Sequence, residues 1–109
     1  MDDVRLERVL RTVEAIPPGR VAAYGQIGAI CGVGPREVGR MLRDWGGSVP
    51  WWRVTSRSGD HPLLEKALPH WQAEGITVAP HGRGCRMADH GADLEELRRA
   101  AERACADLG

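Results

Sequence analysis

The 109 residues are 42% hydrophobic and carry a formal net charge of zero, the make-up of one ordinary globular domain with one modest core. No apolar run approaches the ~20 residues of a membrane span, and the start MDDVRLERV is acidic and mixed where a secretory signal would be basic and then apolar, so the expected address is the cytoplasm, with no membrane partner. Three widely spaced cysteines, Cys31, Cys85 and Cys105, are an odd number without a CxxC pair, which argues against a disulfide framework and for reduced thiols.

Residues 3–16 carry Leu6, Val9, Leu10, Val13 and Ile16 at the spacing of an amphipathic helix, with Arg5, Arg8, Arg11 and Glu14 on its wet side. Pro17-Pro18-Gly19 must stop it, because the first proline disfavours helical geometry at Ile16. Residues 20–24 read as a short connection. From Tyr24 a helical pattern resumes through Ile27 and Ile30 and ends at Gly32-Val33-Gly34. Pro35 suits the first position of a second helix, where its missing amide hydrogen would have had no partner. That helix should run to about Trp45, with Val38, Met41, Leu42 and Trp45 on the core side and Arg36, Gly39, Arg40 and Arg43 on the opposite stripe. Gly46-Gly47-Ser48 reads as a flexible loop, 49–55 as a strand, and Ser56-Arg57-Ser58-Gly59 as its closing turn. Residues 63–74 look helical, kinked or split by Pro69 and capped by Gly75. Residues 76–91 read as short strand or loop. A last helix is expected from Asp93, its N-cap, to Leu108, with Leu94, Leu97, Ala101 and Ala104 facing inward.

These elements predict a mostly helical α/β fold: a winged-helix-like helix-turn-helix domain over 1–91 with a short strand or hairpin, and an extra C-terminal helix in 92–109 packed on the same domain. The charge is unevenly placed on it. Residues 1–59 hold nine arginines against six acids, residues 60–109 six basic residues against nine acids, and the halves come to +3 and −3. Between Arg20 and Arg57 six arginines face only Glu37 and Asp44, and such a local footprint governs phosphate binding more than the total does. Three arginines along one stripe, with Gly39 between them, let a helix backbone approach a charged polymer. Arg57, in a turn, can reach a phosphate. Arg53, beside the tryptophan pair, reads instead as a structural arginine bonding backbone carbonyls, and Cys31 as a small core residue. His81, Cys85 and His90 have zinc-ligand donor types, but three ligands without a finger spacing read as a plain loop, so no metal and no cofactor is expected.

The runs IPPGRVAAYGQI, PREVGRML and VPWWRV followed by SG, in this order and spacing, resemble the C-terminal DNA-binding domain of the O6-alkylguanine-DNA alkyltransferases, and most of all their alkyltransferase-like relatives. The resemblance covers roughly residues 4–76. It implies that Tyr24 helps rotate a damaged nucleotide out of the duplex and that Arg36 fills the vacated place in the base stack. Gly39, Arg40 and Arg43 then lie on a recognition helix placed in the minor groove, where helix-turn-helix physics alone would say major groove. With Gln26 and Arg57 these residues make the implied DNA-contacting set. Tyr24, Trp51, Val54 and Ser58 make the implied lesion pocket.

The largest departure is at Trp51, which stands where the transferases hold their acceptor cysteine. Trp52 stands where they hold the histidine that activates it. An indole is no nucleophile, and the proton relay is lost with the histidine. Glu74 matches the relay acid and is left without its partner, a structural residue like Arg53. The loop after the strand, GDHPL, matches the family poorly, and either Asp60 or His61 is available there to face the guanine O6. The sequence therefore points to a non-enzymatic, monomeric binder of double-stranded DNA carrying O6-alkylguanine, which flips the lesion and marks it for nucleotide excision repair proteins. Two other readings stay open. One is a helix-turn-helix regulatory module whose pocket the two indoles have filled; the other is an alkyltransferase that uses Cys31 or Cys85 instead.

Overall fold

The computed structural model describes residues 3–108; Met1, Asp2 and Gly109 lie outside the described residues, and with them the first two residues of the acidic start. Helix α1 (Asp3–Glu14) runs up to the Pro17-Pro18 break and turns Val9, Val13 and Ile16, the last just beyond its end, fully inward. Each such side chain contributes roughly 1.5–3 kcal/mol of burial. Against it pack α2 (Tyr24–Cys31) and α3 (Pro35–Trp45), joined by Gly32-Val33-Gly34, and α6 (Leu94–Ala104). Ile27 from α2, Val38 and Met41 from α3 and Leu97 from α6 complete this core. Two long-range ties fasten the bundle. Arg5 of α1 reaches Glu37 of α3 at 2.6 Å, and Arg11 holds the chain end through Asp107 at 2.6 Å and the Ala104 carbonyl at 2.9 Å.

A second, smaller core lies under the remaining elements. Helix α4 (Leu64–Glu74) buries Ala67 and Trp71 against Val21, Ile76 and Cys85. The Trp71 indole donates to the Trp52 carbonyl at 2.7 Å, which sets α4 in register with the tryptophan pair. Strands β1 (Ala22–Ala23) and β2 (Val54–Thr55) join the two cores, pairing Ala22 with Val54 and Ala23 with Thr55.

Several expectations need correction. The two strands are parallel, so no hairpin forms; the α2–α3 pair lies in the crossover between them, as a parallel pair requires. Residues 20–24 are more than a connection, because they contain β1. The strand expected over 49–55 is confined to Val54–Thr55, and Trp51–Arg53 instead forms a 3-10 turn. Gly46–Ser48, expected as a loop, is another such turn. Trp45 does not face the core; it is 53% exposed at the end of α3. Pro69 neither splits nor ends α4: its missing N–H removes one bond, to the first turn, while Trp71 anchors the second half. In 76–91 a short helix α5 (Met87–His90) appears where only strand or loop was expected. On α6, Asp93 caps as expected, accepting from the Glu96 N–H at 3.0 Å, and Leu97 and Ala101 are buried. Leu94 and Ala104 are exposed, and the helix ends at Ala104, with a 3-10 turn at Ala106–Leu108.

Candidate nucleic-acid interface

The turn between α2 and α3 is made possible by glycine at two places. Gly32 caps α2 in the left-handed conformation, φ 76°, which costs other residues strain. Gly28 packs so closely on the Val33 carbonyl that any Cβ would collide with it. Pro35 then opens α3 as its first residue. The expected outer stripe is present: Arg36, Arg40 and Arg43 are exposed on α3. It is less free of acid than its sequence suggests, since Glu37 stands 3.8 Å from Arg40 and Asp44 is 3.5 Å from Arg43. Arg36 has no ion-pair partner among the described residues. Tyr24 lies half-buried at the start of α2, with its ring edge over Gly39: a Cβ there would sit 3.9 Å from it. Burial pushes the Tyr24 hydroxyl pKa up. Gln26 turns its carbonyl oxygen back to the Ala23 N–H at 2.8 Å, and so holds the start of the helix.

Beside Tyr24 opens a groove of about 770 Å³, lined among others by Asp60, His61, Leu63, Glu65, Lys66 and Arg83. Arg83 reaches Asp60 at 3.3 Å. His61 is buried, and the Leu63 N–H donates to its Nδ1 at 2.9 Å. The proton is therefore on Nε2, directed to the Trp51 carbonyl 3.5 Å away. Burial pulls the His61 pKa down against that bond, so the ring is neutral at pH 7.

Of the expected pocket residues, only Tyr24 lines this groove. Val54 is 0% exposed in the main core, held there by its pairing with Ala22, and cannot wall a pocket. Ser58 is exposed on the turn, 3.1 Å from Ser56. Trp51 stands behind His61, ring centroids 5.6 Å apart. Trp51 and Trp52 share a 3-10 turn. Their rings meet edge to face at 5.8 Å, and both touch His70 of α4. His70 stacks on Trp52 at 3.8 Å and 9°. Sequence reasoning passed over His70, although it sits one helical turn before Glu74 and so on the same face of α4.

Glu74, left without a relay histidine, has other partners. The Trp52 indole N–H donates to it at 3.0 Å, Arg53 at 2.6 and 3.0 Å, and the Gly19 N–H at 3.0 Å. Burial alone would raise the Glu74 pKa, but the bonds from Arg53, Gly19 and Trp52 outweigh it and lower it. Arg53 also donates to the Ile16 carbonyl at 2.8 Å, in the structural role expected of it. An indole N–H gives the acid a donor but cannot carry a proton back and forth, so the arrangement holds shape without activating anything. Cys31 donates to Thr12 at 3.3 Å, and burial pushes its thiol pKa up, as it does for Cys85. No group of three His, Cys, Asp or Glu able to hold a metal is found among the described residues. His90 is engaged by Thr77 and His81 by the Arg83 amide.

A glycine-cornered helix pair, an exposed arginine stripe on its second helix and a groove at its tyrosine define a helix-turn-helix domain of the alkyltransferase type. The family model of the 6-O-methylguanine DNA methyltransferase DNA-binding domain matches residues 5–74, and the chain belongs to that family. Among curated proteins it is 34% identical over 85 residues to the DNA base-flipping protein of Escherichia coli K12, and 32% identical over 89 residues to that of Vibrio parahaemolyticus. These alignments take in 71% and 74% of this chain; it spans 66% of the E. coli protein's length and 89% of the Vibrio protein's. In fold it is similar to S. pombe Atl1 solved with damaged DNA containing O6-carboxymethylguanine, at a TM-score of 0.74 and 22% identity over 85% of this chain and 98% of that one. A second S. pombe ATL structure with DNA gives 0.64 and 25%, over 89% of this chain and 94% of that one.

Proposed function

We propose that this protein binds duplex DNA carrying O6-alkylguanine, turns the lesion out of the stack and holds it without repairing it. The observation that carries this reading is the union of two things: an exposed Arg36 with Tyr24 over Gly39 beside an open groove, and Trp51 and Trp52 at the positions matched to the acceptor and its histidine. Arg36 fills the gap in the stack, while Tyr24 and the groove receive the flipped base; the loss of stacking, a few kcal/mol, is offset by the contacts that flipping permits. Neutral His61, with Asp60, Lys66 and Arg83 near it, supplies the polar groups for the base edge. A monomer that holds the lesion in place in the cytoplasm and marks it for nucleotide excision repair proteins is the corresponding role. The names of the base-flipping relatives support the flipping step alone.

Transfer to a relocated cysteine is disfavoured, because Cys31 and Cys85 are both held protonated by burial. A regulatory module without a pocket has one observation in its favour: Trp51, Trp52 and His70 pack on one another, and neither indole lines the groove at Tyr24.

The test uses a duplex with 2-aminopurine next to O6-methylguanine. The wild-type protein should raise its emission as the stack opens, Arg36→Ala should not, and the intact protein mass should stay unchanged after incubation. A flat signal with wild type would remove base flipping, and a 14 Da gain would restore transfer chemistry.

A further inference from the structure

Helix α6 lies beyond the matched residues 5–74, yet it reaches the same side of the molecule as the start of α2. A second groove, about 280 Å³, is lined there by Ala29, Ile30, Leu94, Arg57 and Arg98, with Gly25 and Gln26 at its α2 end. Tyr24 lines the first groove and Gly25 the second, so both border the α2 N-terminus. No carboxylate lines this second groove. Neither Arg57 nor Arg98 has an ion-pair partner among the described residues; on α6 it is Arg99 that pairs with Glu95. Leu94 and Arg98, four residues apart, share one face of α6, which explains why Leu94 is exposed although it begins an apolar series.

We propose that α6 extends the DNA interface: this groove takes one sugar–phosphate strand, with Arg57 and Arg98 on phosphate oxygens and Ala29, Ile30 and Leu94 against the deoxyribose. The inference rests on the DNA-binding reading above. In a helix-turn-helix the first helix crosses the backbone, and the outer face of α2 is one wall of this groove. Its lining complements a sugar–phosphate strand, with apolar Ala29, Ile30 and Leu94 beside two guanidiniums and no carboxylate, and guanidinium–phosphate bonds are charge-assisted. Such contacts add affinity without sequence or lesion preference.

The test is the salt dependence of binding, by anisotropy between 50 and 200 mM salt, for an undamaged duplex and its O6-methylguanine counterpart. Arg98→Ala should reduce the slope by about 1 and weaken binding about eightfold at 0.1 M salt, the factor one released counterion carries there, equally on both duplexes. Arg98→Lys should keep most of the slope. Arg103→Ala, with the same charge change elsewhere on α6, should leave it near wild type. If Arg98→Ala keeps the wild-type slope, if Arg103→Ala lowers it as much, or if the loss is confined to the lesion duplex, the assignment falls while DNA binding stands. If wild type binds neither duplex, the functional reading falls and takes this inference with it.

Discussion

At Glu74 three donors from two parts of the chain, Gly19 and the adjacent Trp52 and Arg53, converge on one carboxylate that, with Arg53, is only 12–13% exposed. This knot joins the end of α4 to the tryptophan turn and, through Arg53, to the end of α1. Removing one side of such a pair leaves the other charge buried, so Glu74→Ala should destabilise the domain by roughly 3 kcal/mol at pH 7. A carboxylate with a lowered pKa gives stability that is present above its ordinary value, 4.5, and lost as pH falls through the lowered one. The gap between Glu74→Ala and wild type, measured by urea unfolding, should therefore close under acid; a gap independent of pH down to 3 would mean that the knot contributes no electrostatics. From sequence, Glu74 could be matched to a relay acid and Trp52 to a lost histidine. That the indole N–H would take over the acid could not be read, because it depends on the 3-10 turn, and nothing in WWR announces one.

Among the elements, the helices were legible because their apolar spacing and their glycine and proline ends are local properties. α2 ends where Gly32 says it should, and α3 begins where Pro35 does. The two strands were not, since two residues each show no period and their pairing is set by the α2–α3 crossover. Trp45 and Leu94 satisfy the helical pattern but lie where no partner element covers them. The expectation of a pocket around Val54 failed for a related reason: a strand of two residues between two cores has no wet side. On α3 the glycine allows a sharper prediction. A methyl group at Gly39 would make ordinary contact with Tyr24, and alanine is favoured over glycine inside a helix by about 1 kcal/mol. Gly39→Ala should raise the melting temperature yet weaken duplex binding severalfold, because it holds the helix off the groove. Binding equal to wild type would show that α3 does not approach DNA along this stripe.

For the molecule as a whole, a net charge of zero hides a basic half that holds the helix pair and an acidic half that holds α4 and α6. The proposed function requires that this scaffold combine a DNA grip with discrimination for the lesion while Trp51 and Trp52 stand beside His61. The family match supports the grip, and the groove at Tyr24, bounded by His61 in place of Trp51, has to supply the discrimination. The most direct test is an anisotropy titration of one duplex with and without a single O6-methylguanine at fixed salt. A lesion binder should take the O6-methylguanine duplex more tightly by tenfold or more, about 1.4 kcal/mol; equal affinity for the two duplexes would overturn the proposed function and leave a DNA-binding module whose pocket the Trp51–Trp52–His70 cluster has filled.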